Sequence, residues 1–215
     1  INVMLYEAQR YFANILFPYA KLIPNALKTV QSLNAKYIFP SHGVCWSKHI
    51  PDILGKYAQW GASYKAARIV IAYDTMWGGT ECMAMAMMEG VKRAGVAASL
   101  YRMPCTDRSH VTAEILEAGG VMFGSSTLNY GMLPKMAELL YYLKGLKPQG
   151  KLAATFGTYG WSGGAQKDME DLIGKAGMKI EGGLTAQWKG SSEELAQCEQ
   201  FAYDFAMKVK AEFDK

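Results

Sequence analysis

The sequence predicts an α/β protein: a doubly wound, five-stranded parallel sheet of strand order 2-1-3-4-5, with a mostly helical stretch ahead of it. Three observations carry this reading. From Arg68 onward, short β-rich apolar runs alternate with longer helical patterns, the signature of parallel strands joined by crossover helices. The final helical pattern repeats Leu195, Cys198, Ala202, Phe205 and Val209 at spacings of three and four, one continuous apolar stripe suited to a sheet face. Charge divides near the same boundary: residues 1–65 carry seven basic and two acidic side chains, net +5, whereas the remainder holds 16 basic and 17 acidic, net −1.

Taken in order, residues 2–17 predict a helix ended by Pro18, residues 24–34 a second helix, and Tyr37-Ile38-Phe39 a short strand. The strand runs into Pro40-Ser41-His42-Gly43, and a further amphipathic helix covers 50–62. One strand and three helices cannot close a sheet-based core, so residues 1–65 read as the tail of a larger domain. The chain begins at Ile1 without an initiator Met, which leads us to expect a truncated protein. Residues 66–215 read as a complete domain with strands at 68–73, 97–103, 119–125, 151–156 and 178–187. Helices are expected between and after them at 80–94, 109–118, 132–144, 163–176 and 192–213.

Composition narrows the function classes. Half of the 215 residues are hydrophobic, which excludes a disordered chain, and no apolar run approaches the roughly 18 residues that span a bilayer. No membrane partner is therefore expected. Cys45, Cys82, Cys105 and Cys198 lie far apart with no CxxC, which favours a reducing, cytoplasmic setting. The net charge of +4 invites a nucleic-acid partner, but the excess sits on helices interrupted by Pro18 and Pro24, so none is expected.

In an open α/β sheet of this order, ligands bind beyond the carboxyl ends of the strands, between the first and third. The loops that meet there read Asp74-Thr75-Met76-Trp77-Gly78-Gly79-Thr80, Ser125-Ser126-Thr127-Leu128-Asn129-Tyr130-Gly131 and Gly157-Thr158-Tyr159-Gly160-Trp161-Ser162-Gly163-Gly164. The loops after the second and fifth strands, including Trp188-Lys189-Gly190, lack this mixture of glycines, hydroxyls and aromatics. The first loop opens a helix, whose free N–H groups favour an anion; Thr75 and Thr80 add hydroxyls, and Gly78 and Gly79 permit close approach. It has neither the GxxxxGK[ST] nor the GxGxxG pattern, so a single phosphate monoester is the better fit. An ordinary strand-to-helix turn is the alternative for this loop alone. Tyr130, Tyr159 and Trp161 offer flat surfaces for a planar ring, and Ser126, Thr127 and Asn129 offer polar contacts to its edges. A phosphate at one end and an aromatic slot at the other describe flavin mononucleotide, FMN.

The stretch Tyr73-Asp74-Thr75-Met76-Trp77-Gly78-Gly79-Thr80-Glu81 resembles the phosphate loop of flavodoxins. Together with Phe156 to Ala165 and Ser126 to Pro134, it makes residues 66–215 similar to the flavodoxin-like domain of flavodiiron proteins. Met76 and Trp77 replace the hydroxyl residues usual in stand-alone flavodoxins, which leaves backbone N–H groups with more of the phosphate binding. The resemblance extends to residues 1–65. Pro40-Ser41-His42-Gly43 resembles the turn bearing the last iron ligand of the family's metallo-β-lactamase-like domain, and Glu7 to Ile15 resembles a helix of that domain.

The resemblance implies an FMN-binding domain with Thr75, Met76, Trp77, Gly78, Gly79, Thr80, Ser126, Thr127, Asn129, Tyr130, Gly157, Thr158, Tyr159, Gly160, Trp161 and Gly163 at the cofactor. It implies that His42 is a di-iron ligand in the intact protein, unused in this chain, whose other iron ligands are missing. It also implies a rubredoxin or an NADH-linked reductase as electron donor, reduction of O2 to water or NO to N2O, and a head-to-tail homodimer. The spacing His42-x2-Cys45-x3-His49 suggests a metal cluster by itself, but a fourth ligand is lacking, and Cys45 and His49 are read as capping or lining the next helix. His110 is read as a solvated helix-start residue, and Met83, Met85, Met87 and Met88 as core packing.

No nucleophile elbow or paired catalytic carboxylates are present, which suits a domain whose cofactor supplies the chemistry. The rival is a flavin-free interaction module. Its receiver form would need an Asp where the third strand ends, and Ser125-Ser126-Thr127 stands there instead.

Overall fold

In this computed structural model, which describes residues 1–213, the first strand sets the architecture. Strand β1 (Ala66–Asp74) turns Ile69, Ile71 and Tyr73 to one face and Val70 and Ala72 to the other, and all five are buried. A strand apolar on both faces needs cover on both, which is the condition that selects a parallel sheet between helical layers. The sheet has the order β2 (Ala97–Arg102), β1, β3 (Ala118–Ser125), β6 (Leu152–Tyr159), β7 (Lys179–Gln187), all pairs parallel. In order of appearance these are strands 2-1-3-4-5, the predicted order. A two-residue pair, β4 (Thr127–Leu128) and β5 (Gly131–Met132), forms a separate antiparallel hairpin after β3.

One face is covered by α4 (Gly79–Arg93) and α8 (Ser192–Ala211), which bury Met83, Met87, Cys198, Ala202, Phe205 and Val209 against Ile69, Ile71, Met122 and Phe156. Met85 is more than half exposed, so the reading of all four helix methionines as packing is corrected at this position, which lies off the buried face of α4. Helix α8 begins on a capping box: Ser191 Oγ accepts from Glu194 N at 3.2 Å and Glu194 Oε2 accepts from Ser191 N at 2.7 Å. The other face carries α5 (Arg108–Glu117), α6 (Pro134–Leu146) and α7 (Ala165–Lys175), packed on Val70, Val121, Phe123 and Ala153.

A third layer lies outside α5. Helix α1 (Asn2–Tyr11) passes through one wide turn (Phe12–Leu16) and one tight turn (Phe17–Leu22) into α2 (Ile23–Ser32), and α3 (Ile50–Gly61) follows. Phe12, Ala13 and Trp60 are buried against Ala113 and Leu116 of α5. Trp60 Nε1 donates to Glu117 Oε1 at 2.8 Å, and Tyr142 Oη donates to Asn14 Oδ1 at 3.0 Å. Helix α5 is thus buried from both sides, which explains why Thr112 and Ala113 are fully covered in an otherwise ordinary helix.

Two expectations are corrected in this layer. Pro18 does not break the helix at residue 17: it stands in the first positions of the tight turn, where a missing N–H costs nothing, and the helical path continues to Ser32 with changed pitch. The strand expected at 37–39 is a single bridge, Ile38 to Trp46, with two backbone hydrogen bonds of 2.9 Å. No helix among the described residues is long and apolar enough to cross a membrane.

Candidate functional site

The loops after β1, β3 and β6 converge at the carboxyl edge of the sheet on a cavity of about 770 Å³. Of the predicted cofactor residues, Met76, Trp77, Gly79, Ser126, Thr127, Asn129, Tyr130, Thr158, Tyr159, Gly160 and Trp161 line it. Thr75, Gly78, Thr80 and Gly157 lie in the same loops but outside its wall, and Gly163 lines a shallow recess beyond Tyr159.

Behind the cavity wall lies a closed ring of hydroxyls. Thr80 Oγ1 lies 2.9 Å from both Ser126 Oγ and Thr158 Oγ1, and Ser126 and Thr158 are 3.2 Å apart. In a ring of three hydroxyls each donates to one neighbour and accepts from the other, so all three are satisfied although buried. This differs from the expectation that Thr80 offers its hydroxyl to an anion: the hydroxyl is turned inward and ties the three loops together. Thr75 Oγ1 accepts from Gly78 N at 3.0 Å, shaping the turn that starts α4. The open donors are the N–H groups of the first turn of α4, which have no carbonyl partner within the helix. Gly78, at φ +83°, takes the left-handed conformation that this turn requires, with open space where a side chain would stand.

Two further residues close the cavity that sequence reasoning missed. Trp188 and Lys189, after β7, line it, correcting the reading that this loop takes no part. A Cβ on Gly79 would stand 2.6 Å from the Trp188 carbonyl oxygen, so this loop lies directly on the start of α4. The Trp188 ring meets Trp161 edge-on, with centroids 5.4 Å apart and planes at 80°. Loop composition held no sign of this approach, because it depends on long-range packing; the one local signal was a Trp next to a Lys and a Gly. Likewise Asn129 and Tyr130 both take positive φ at the tip of the β4–β5 hairpin, which raises the Tyr130 ring into solvent beside the cavity.

Trp77 and Trp161 are each 90 % exposed and Tyr130 is 76 % exposed. Exposed aromatic faces gathered around a cavity mark a ligand or interaction site. Behind them, burial raises the Asp74 carboxyl above its ordinary range against hydrogen bonds from the Thr75 and Lys135 backbone. Burial, and the hydrogen bond of 2.8 Å that its hydroxyl donates to Glu81, push Tyr73 up to about 12. Tyr73 therefore keeps its proton near neutral pH.

Away from this site, His42 is exposed at the rim of an apolar cavity of about 620 Å³ in the N-terminal layer, 5.6 Å from the Tyr11 ring. His49 is the residue before α3, and its Nδ1 lies 2.8 Å from Asp52 Oδ2. No three His, Cys, Asp or Glu side chains gather among the described residues in a way that could hold a metal. His110 is not a solvated helix start: it is half-buried, bonded to Tyr6 Oη and edge-on to Tyr101 at 5.3 Å, because α1 packs over it.

A family model described as flavodoxin matches residues 71–201. The nitric oxide reductase of Moorella thermoacetica is 41% identical over 214 residues, which cover 98% of this chain and 53% of that protein. Rubredoxin oxygen:oxidoreductase from Desulfovibrio gigas superimposes with a TM-score of 0.93 at 29% identity, covering 100% of this chain and 55% of that one. The flavodiiron protein from Giardia intestinalis gives a TM-score of 0.90 at 29% identity, covering 94% and 51%. The chain spans about half the length of these curated relatives.

Proposed function

This chain belongs to the flavodoxin family and is related to flavodiiron proteins, and from that premise we propose that it binds FMN in the cavity between the β1, β3 and β6 loops and transfers electrons through it. The observation that carries the proposal is the pairing of an open helix N-terminus with a cavity of about 770 Å³ flanked by exposed Trp77, Tyr130 and Trp161. The residues fit the group: the first turn of α4 presents N–H donors to a phosphate, and Gly78 at its start leaves open space where a side chain would stand. The aromatic faces cover a planar ring and shield it from water, while Asn129 and the loop backbone around Gly160 reach its polar edge. When bound, the flavin supplies the electron-carrying chemistry, and the protein sets its orientation and surroundings.

We extend the reading to the intact protein. There, residues 1–65 form the end of a metallo-β-lactamase-like di-iron domain to which His42 contributes a ligand, and residues 66–215 form the FMN domain. Electrons arrive from a rubredoxin or an NADH-linked reductase, and the di-iron centre reduces O2 to water or NO to N2O in a head-to-tail homodimer. The described residues do not by themselves provide a metal centre, so this chain alone is expected to carry electrons without reducing either gas.

The test is a titration of the purified chain with FMN, followed by quenching of flavin fluorescence and by absorbance. Saturation at one flavin per chain, with neither O2 nor NO reductase activity, is the expected outcome; a flavin spectrum that stays that of free FMN would falsify the cofactor proposal.

A further inference from the structure

The amino edge of the sheet carries a second polar site that electron transfer does not use. Lys151, immediately before β6, is only 2 % exposed. Its Nζ donates to the carbonyls of Leu116 at 2.9 Å and Ala118 at 2.7 Å, where α5 ends and β3 begins. A neutral amine has two hydrogens and an ammonium three. With both carbonyls served, the third hydrogen, present only in the charged form, is left for the adjoining cavity. That cavity measures about 140 Å³, and Lys21, Lys65 and Lys147 line it beside Lys151, with Ser63 and Gln149 adding polar groups. Its lining includes no carboxylate among the described residues.

We propose that this cavity binds a small dianionic oxyanion of the sulfate or phosphate class, held by Lys151 at its floor and by Lys65 and Lys147 at its mouth. Lys21, Lys65 and Lys147 bring three further cationic side chains to the walls around Lys151, and the volume is too small for a nucleotide. One neighbouring carboxylate, Glu117, is engaged away from the cavity, and the other, Glu212, pairs with one of the cavity's own lysines. Glu117 accepts from Trp60 at 2.8 Å and pairs with Lys56 at 3.2 Å, and Glu212 pairs with Lys65 at 3.6 Å. The site lies at the opposite end of β6 from the flavin cavity, roughly 25 Å away along the strand.

Burial, and secondarily Lys65, bring the Lys151 ammonium down to about 7, with Glu117 opposing. A bound dianion favours the charged form, so binding takes up a proton. Affinity is therefore greatest below about 7 and declines as the pH rises through that value.

The experiment is isothermal titration of the FMN-loaded full chain with sulfate at constant ionic strength; the loaded chain has its phosphate cradle after β1 filled, and sulfate stays dianionic throughout. We expect saturable binding at one site, weakening at least about tenfold between pH 6 and pH 8.5. Lys151→Met is expected to abolish it, and Lys147→Ala, an exposed change that leaves the fold intact, to weaken it at least about threefold. Should the chain not take up flavin, the same titration on the unloaded protein still separates the two sites, because only the amino-edge site responds to Lys147. No saturable heat in the wild type, or binding indifferent to pH and to Lys147→Ala, overturns the proposal; in that case Lys151 merely caps the end of α5.

Discussion

Thr80 ties together the three loops behind the cavity at the carboxyl edge of the sheet. Its hydroxyl is the one member of the buried ring equidistant from the other two, so removing it deprives both Ser126 and Thr158, each more than nine-tenths buried, of one hydrogen-bond partner. Thr80→Val should cost roughly 1–3 kcal/mol in stability, as judged by urea unfolding. A change below a few tenths would mean that the ring contributes nothing. Much of this site was legible residue by residue. Glycines and hydroxyls between Asp74 and Thr80 mark a helix start that needs positive φ and open donors, and both conditions are local. The direction of the Thr80 hydroxyl was not legible, because it is set by Ser126 and Thr158, which lie 46 and 78 residues away. The same holds for Trp188, whose place over Gly79 follows from the register of β7 on β6.

At the scale of elements, the N-terminal helices adhere through two side chains above all. Phe12 and Trp60 are buried to 0% and 1% exposure, meet each other at 5.3 Å between ring centroids, and press on Ala113. Trp60→Ala should therefore destabilise the protein by about 3–5 kcal/mol, read from the denaturant midpoint at unchanged slope. Loss of well under 1 kcal/mol would show this layer to be only loosely attached. Strands and crossover helices were legible because their periodicities differ and their burial is continuous. Two elements were not. The path from α1 to α2 hides in a segment where Pro18 suggests a stop, and only the first position of a tight turn tolerates it. The β4–β5 hairpin is two residues per strand, too short for any alternation to register.

For the molecule as a whole, strand order could be anticipated because right-handed crossovers and two covered faces leave few arrangements for five such strands. The position of residues 1–65 could not, since an amphipathic helix does not announce which neighbour it will meet. Charge has its meaning at this scale too. With 16 basic and 17 acidic residues after Lys65, the sheet domain is nearly neutral, and Lys189 stands on the cavity wall. A neutral surrounding repels an anionic reduced flavin less than a strongly acidic one does, so the FMN-loaded protein should titrate at a higher potential than strongly acidic flavodoxins. Redox titration decides this, and a markedly lower value would count against it.

Helix α5 has one further consequence, which concerns how such a chain can change over generations. A helix at a protein surface has one face on which substitutions pass almost unnoticed, and the residues there drift. Val111, Ala113, Ile115 and Leu116 have no such freedom, because the sheet presses from one side and Phe12 and Trp60 from the other. A change of size at Val111 or Ile115 is met by the sheet core and one at Ala113 or Leu116 by the core around Phe12 and Trp60, and the helix between them passes either on to the other side. The helical layer and the sheet are therefore bound to accept change together, as a pair.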